Sequence, residues 1–302
     1  MSPEIGRLLT AMVTPFKTDG GVDYQAAEKL AAILIADGSD GVVVSGTTGE
    51  SPALSDDEKV ELVKAIKKAI PGKTVVAGTG SNDTHHSVKL SERAMKAGAD
   101  ALLAVVPYYN KPPQEGMYQH FKAISEVGPT IMYNIQGRTA INMTAATTLR
   151  CAQLPGILGT KEASGDLDQI GLVCAGKPER FNVWSGDDSW TLPVLAVGGH
   201  GVICVVSHIA GRSMKRLIEA HAKGDNETAR KIHSGLLPVI RALMTTASNP
   251  VPIKSVLNAM GFNAGPFRLP LVPLTDDQLQ SVMQTVKEAG DLITFRAGVK
   301  VA

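Results

Sequence analysis

A lysine closes an apolar run and is followed by small and acidic residues in Ile157–Leu158–Gly159–Thr160–Lys161–Glu162–Ala163–Ser164–Gly165–Asp166. Burying an ammonium at the end of a strand is costly unless it is paired or neutralised. A desolvated lysine with a lowered pKa can instead attack a carbonyl and form a Schiff base. The plainer reading is a lysine that points outward and carries its charge to solvent along an apolar stem.

Other segments carry partners suited to that chemistry. Gly46–Thr47–Thr48–Gly49–Glu50–Ser51 sets two hydroxyls between two glycines, so backbone N–H groups and Thr47 and Thr48 can converge on a carboxylate. Tyr108 and Tyr109 lie in Pro107–Pro113, and Tyr133 opens Tyr133–Thr139. A phenol held in a hydrogen-bonded chain can shuttle protons. Arg138 offers a two-pronged clamp for a second carboxylate, and Gly186 in Ser185–Gly186–Asp187–Asp188 lets backbone approach a ligand closely. Taken singly, each has an ordinary reading as a polar turn, a packed rim tyrosine or a solvated arginine. Together they suit a carbonyl acid activated as an imine, deprotonated to an enamine, and added to an aldehyde. His85 and His86 are adjacent and would diverge on a helix, so no metal site is expected.

These groups need a scaffold that gathers loop residues from distant parts of the chain. Val- and Ile-rich runs recur at Leu9–Thr14, Gly41–Ser45, Thr74–Gly78, Ala101–Pro107, Thr130–Asn134, Ile157–Thr160, Asn182–Ser185 and Gly201–Ser207. They lack period-2 polarity, as parallel strands buried on both faces do. Between them lie amphipathic segments. In Ser55–Ile70 the pair Ser55 and Glu58 predicts a capping box, and Val60, Val63 and Ile66 form an apolar stripe. Strand–helix alternation of this count predicts an α/β fold, a (β/α)₈ barrel over residues 1–224, whose ligand groups lie at the carboxyl ends of the strands. A doubly wound open sheet is the competitor, weakened by the absence of G-x-G-x-x-G after the first strand. Residues 225–293 read as an extension of about three helices, at Asn226–Thr246, Pro252–Met260 and Asp276–Leu292, and residues 294–302 as a tail.

Composition narrows the function classes. In 302 residues, 30 Lys and Arg against 29 Asp and Glu leave no electrostatic footprint for nucleic acid or a membrane surface. Cys151, Cys174 and Cys204 form no C-x-x-C pair, which fits a reducing, cytoplasmic setting. No signal peptide is expected at the N-terminus, and no apolar run is long enough to predict a membrane-spanning helix.

The chain resembles the dihydrodipicolinate synthase family, within the pyruvate-dependent class I aldolase superfamily that includes N-acetylneuraminate lyase. The resemblance is carried by Leu9–Phe16, Gly46–Ser51, Pro107–Pro112, Tyr133–Thr139, Gly159–Asp166, Ser185–Asp188, Asn249–Lys254 and Gly265–Leu271, and so spans nearly the whole chain. It implies a lyase that condenses pyruvate with L-aspartate 4-semialdehyde in the diaminopimelate and L-lysine pathway. Lys161 would form the Schiff base, and Tyr133 would relay protons in a triad with Thr47 and with Tyr109 of a neighbouring subunit. Thr47 and Thr48 would hold the pyruvate carboxylate, Arg138 would bind the second substrate, and Gly186 and Ile203 would line the site by backbone. It implies a homotetramer, a dimer of dimers, with no cofactor beyond the covalent imine. Feedback by L-lysine would act through Ser51, Asn82, Tyr108 and the position of His86. Strongly inhibited members tend to carry histidines at Asp56 and Lys59 and an acid at His86, so weak or absent inhibition is expected. Arg138, Gly46–Thr47–Thr48 and Ser185–Asp188 favour this branch over a sialic-acid or 2-keto-3-deoxy sugar-acid lyase. A small-acid sensor without imine chemistry would have no need of Lys161 with both tyrosines. One departure stands beside Arg138: Gln136 occupies the place of a proline usual in the family.

Overall fold

The structure, a computed structural model, describes residues 5–297. Strands β1 (Leu8–Ala11), β2 (Gly41–Val44), β3 (Thr74–Gly78), β4 (Ala101–Val105), β5 (Thr130–Asn134), β6 (Ile157–Glu162), β7 (Asn182–Ser185) and β8 (Gly201–Cys204) pair in sequence order. β1 also pairs in parallel with β8, closing the barrel and excluding the open sheet. Helices α1 (Tyr24–Ala36), α2 (Asp56–Ala69), α3 (Thr84–Lys96), α4 (Gln114–Ser125), α5 (Gln136–Thr139), α6 (Ala145–Cys151), α7 (Leu167–Gly176), α8 (Thr191–Ala196) and α9 (Ser207–Ala222) follow the strands. The C-terminal helices are α10 (Asn226–Thr245), α11 (Val251–Ala259) and α12 (Asp276–Glu288).

Alternation along the strands makes two apolar layers. Leu9, Val43, Val76, Leu103, Ile131, Tyr133, Trp184 and Ile203 fill the barrel interior. Residues of opposite parity, such as Leu8, Val42, Val75 and Leu102, pack in the larger outer cluster with the helices. The expected capping box starts α2: the Glu58 amide donates to Ser55 Oγ at 3.2 Å, and the Ser55 amide to Glu58 Oε2 at 2.9 Å.

Several strand ends differ from expectation, two of them because backbone donors go to side chains instead of the ladder. β1 stops at Ala11, and the amide of Val13 donates to His208 Nε2 at 3.1 Å. β4 stops at Val105, two residues before Pro107, which has no N–H to extend the ladder. β8 stops at Cys204 rather than Ser207. The amides of Val205 and Val206 are taken by the Asp188 carboxylate, and α9 begins at Ser207 with a kink at Ala210. β6 runs longer than expected, keeping Lys161 and Glu162 paired with Trp184 and Ser185 of β7.

The expected tail is not free at its start. The amides of Thr294 and Phe295 both donate to the Ile209 carbonyl at 2.8 and 3.0 Å, and Phe295 is buried against Phe262. Helix α9 exposes that carbonyl because its kink breaks the local i→i+4 ladder. Residues 298–302 of the expected tail, and residues 1–4 of the expected barrel, lie outside the described residues.

Candidate active site

Lys161 and Tyr133 are register partners on adjacent parallel strands. Residues in register on one sheet face lie side by side. Lys161 Nζ accordingly sits 4.3 Å from the centroid of the Tyr133 ring. The lysine is 5 % exposed, and burial pushes its pKa down to about 8, against the attraction of the Asp188 carboxylate. A free amine is therefore accessible close to neutral pH, and it is the form that attacks carbonyl carbon. Gly186 keeps space open around it. A Cβ there would lie 3.2 Å from Lys161 Cε and 2.8 Å from Ala163 Cβ.

One residue further along, Asn134 and Glu162 point outward and form their own pair, with Asn134 Nδ2 3.1 Å from Glu162 Oε1. Asn142 and Gln169 extend this buried network. It anchors the two strands from behind, so that the lysine and tyrosine are presented by fixed backbone rather than by a mobile loop.

Burial likewise raises the Tyr133 phenol to about 12, opposed by the Arg138 charge and by interaction with the Thr47 hydroxyl. The phenol thus remains protonated at neutral pH, and it can pass a proton along by taking one up as it gives one away. Thr47 and Thr48 ride on a turn in which the amides of Gly49 and Ser51 donate to the Gly46 carbonyl. Ser45 and Glu50 flank this turn with left-handed φ of 56° each. Thr48 is buried, and its Oγ1 accepts from Asn249 Nδ2 at 2.9 Å. Arg138 stands on α5, a short helix not foreseen in the sequence, and its Nη2 donates to the Asn249 carbonyl at 3.2 Å.

Thr47, Tyr133 and Arg138 line one cleft of ≈ 690 Å³. Ser51, Asn82, Tyr108 and His86 line the same cleft, so the residues expected to bind a feedback ligand share a cavity with those expected to bind substrate. His86 is already engaged there: its Nε2 lies 2.8 Å from Asp56 Oδ2, and its Nδ1 3.3 Å from Ser81 Oγ. Two expected site residues stand apart. Tyr109 is 89 % exposed, on backbone with φ of 72°. The Ile203 side chain is fully buried in the inner layer of the barrel.

Three participants had no local signal. In the sequence Asp188 is only the last residue of Ser185–Asp188, yet it holds the β8–α9 junction through the amides of Val205 and Val206 and faces Lys161 electrostatically. Asn249, 201 residues from Thr48 and 111 from Arg138 in sequence, links the two. Lys254 pairs with Glu50 at 2.7 Å, both side chains wholly buried. Among the described residues, no three His, Cys, Asp or Glu side chains gather as metal ligands, and no helix is long and apolar enough to cross a membrane.

Comparison with known proteins agrees with this geometry. Residues 4–289 match the model of the dihydrodipicolinate synthetase family. A 4-hydroxy-tetrahydrodipicolinate synthase from Moorella thermoacetica is 51 % identical over 288 residues, covering 94 % of this chain and 98 % of that one. One from Symbiobacterium thermophilum is 50 % identical over 294 residues, covering 96 % and 100 %. Among solved structures, the lysine-bound enzyme of Cyanidioschyzon merolae superposes with a TM-score of 0.92 at 44 % identity, over 94 % of this chain and 98 % of that one. A closed barrel matched along nearly its full length at such identities leaves one assignment: the chain belongs to the dihydrodipicolinate synthetase family.

Proposed function

We propose that this chain is a 4-hydroxy-tetrahydrodipicolinate synthase, a lyase that condenses pyruvate with L-aspartate 4-semialdehyde on the route to diaminopimelate and L-lysine. The observation that carries this reading is the register pair of Lys161 and Tyr133 inside the barrel mouth. The unprotonated Lys161 amine attacks the keto carbon of pyruvate, and water leaves as the imine forms. Loss of a methyl proton gives the enamine, whose carbon adds to the aldehyde carbon, and the new alkoxide takes up a proton. Attack of the semialdehyde's own amine on the imine carbon then closes the ring and frees Lys161.

In this scheme Tyr133 and Thr47 move protons, Thr48 with Thr47 holds the pyruvate carboxylate, and Arg138 grips the carboxylate of the aldehyde. Gly186 and the Ile203 backbone leave the reacting carbon room. Tyr109, exposed on the single chain, serves the site of a neighbouring copy in a homotetramer built as a dimer of dimers. The lysine supplies the covalent chemistry without metal or cofactor, and the enzyme works in the cytoplasm.

Borohydride trapping tests the reading. Incubation with pyruvate and reduction should add one reduced pyruvate to the peptide carrying Lys161, and an unmodified peptide would end it. Turnover with aspartate semialdehyde but not with sugar-derived aldehydes then separates this activity from that of a sugar-acid lyase.

Two further results are expected. Gln136 is the first residue of α5, where proline is well tolerated because the N–H there has no partner within the helix. Gln136→Pro should stiffen the loop that presents Arg138 and lower the KM for the aldehyde by about two- to threefold, with pyruvate trapping unchanged. A raised KM contradicts this. Millimolar L-lysine should change the rate by less than about twofold, where an ordinary allosteric coupling gives about fivefold or more. The wall of the cleft carries Asp56, Lys59 and His86, with the last already bonded to the first.

A further inference from the structure

Among the described residues, Asn249 is the one whose main chain and side chain each hold a different anion-binding group of the proposed site. Its side-chain amide donates to Thr48 Oγ1 at 2.9 Å, and its carbonyl accepts from Arg138 Nη2 at 3.2 Å. Thr48 lies on the turn after β2, Arg138 on α5 after β5, and Asn249 in the segment between α10 and α11. With Thr47 and Arg138, Asn249 also lines a second, smaller cavity of ≈ 210 Å³.

The position of Asn249 is well determined. The amide of Val251 donates to the Ser248 carbonyl at 2.9 Å and that of Lys254 to the Pro250 carbonyl at 3.1 Å, so α11 begins directly behind it. Lys254, one turn into α11, is bonded to Glu50 two residues beyond Thr48. The Gly46–Ser51 turn is therefore held at two points by the same short piece of chain.

The hydrogen bond also has a direction. Because Asn249 Nδ2 donates, it occupies an acceptor site of the Thr48 oxygen and leaves the hydroxyl proton free for an anion. The other half of the amide, Asn249 Oδ1, is buried and has no donor among the described residues.

We propose that Asn249 is a positioning residue that aims the Thr48 hydroxyl at one substrate carboxylate and fixes Arg138 for the other. The C-terminal helical segment thereby becomes a working part of the binding face. The proposal rests on the assignment of Thr48 and Arg138 as carboxylate ligands.

Steady-state kinetics of Asn249→Ala, Asn249→Asp, Thr48→Val and the Thr48→Val/Asn249→Ala pair test it, with melting temperatures as the control for folding. Asn249→Ala should raise the KM for pyruvate about tenfold with kcat within about twofold, as expected when a binding contact is lost uniformly. Asn249→Asp has the same shape but presents only acceptors, so it captures the Thr48 proton and repels the carboxylate. Its KM for pyruvate should exceed that of the alanine variant, and being isosteric it carries the test alone if the alanine variant does not fold. In the Thr48→Val background, Asn249→Ala should leave the KM for pyruvate unchanged. An unaltered KM in the single variants, or an undiminished effect without the Thr48 hydroxyl, overturns the proposal. Failure of the parent enzyme to trap pyruvate on Lys161 would instead overturn the Schiff-base reading, so the two failures are distinct.

Discussion

Lys161→Met should abolish condensation, to below about a thousandth of the parent rate, while raising the stability of the fold at pH 7. Both effects come from the same burial. The amine is the proposed nucleophile, and none of the groups beside it, a phenol, two hydroxyls and a guanidinium, can form an imine. The stability gain follows from the pKa, which is about 8 in the fold against 10.5 for an ordinary lysine. Below pH 8 both the folded and the unfolded chain hold the proton, and the fold bears the full expense of an ammonium in a dry site. That amounts to about 3 kcal/mol at 1.36 kcal/mol per pKa unit. Between pH 8 and 10.5 the folded chain has lost the proton while the unfolded chain retains it, so the penalty fades. The melting temperature of Lys161→Met should accordingly exceed that of the parent most at pH 7 and converge with it above pH 10. Pyruvate trapping by the parent should rise with pH through about 8 as the amine is freed. Lys161→Arg keeps a charge that cannot be shed, and it should be as inactive as the methionine variant. An inactive methionine variant that is less stable than the parent at pH 7 would show that burial had not lowered the pKa.

What could be read from the sequence follows the range over which each signal acts. Lys161, Tyr133, Thr47, Thr48 and Arg138 were legible because each closes or follows a strand, and strand order alone brings those ends to one face. The barrel was legible because buried parallel strands write themselves as short apolar runs. Their ends were harder, since Val13 and the Val205–Val206 pair give their amides to His208 and Asp188, partners that no local pattern announces. The four-residue helix α5 was invisible because its residues, Gln136–Gly137–Arg138–Thr139, carry neither a capping side chain nor an apolar stripe. Asn249 and Lys254 lie in a stretch that carries the family resemblance, but their roles escaped for a different reason. Their sequence neighbourhood reads as the start of a helix, and only the fold brings it against a turn about two hundred residues earlier. Such residues are set by tertiary contact alone.

Lys254→Met should destabilise the protein by about 3–5 kcal/mol, because it strands the Glu50 carboxylate in a wholly buried site. The lysine sits between two rings, with its Nζ 4.2 Å from the centroid of Phe16 and 5.1 Å from that of Phe267. Glu50 takes a second bond from the Arg268 amide at 3.1 Å. The Arg268 guanidinium in turn reaches Glu58 and the carbonyls of Gly20 and Ala53. Removing the cation leaves Glu50 with one neutral donor for two oxygens, and with only the Arg268 guanidinium, already paired with Glu58, to oppose its charge. Restoring neutrality should recover much of the loss: Lys254→Met with Glu50→Gln should be more stable than Lys254→Met alone, a coupling that a denaturation double-mutant cycle reads directly. The same cycle has a kinetic arm. Glu50 ends the turn that carries Thr47 and Thr48, so the single variant should raise the KM for pyruvate and the double variant should lower it again. If the double variant is no more stable than Lys254→Met, the loss comes from the missing lysine stem and its packing against Phe16 and Phe267. The buried charge pair would then be a tolerated feature of the turn rather than what holds it in place.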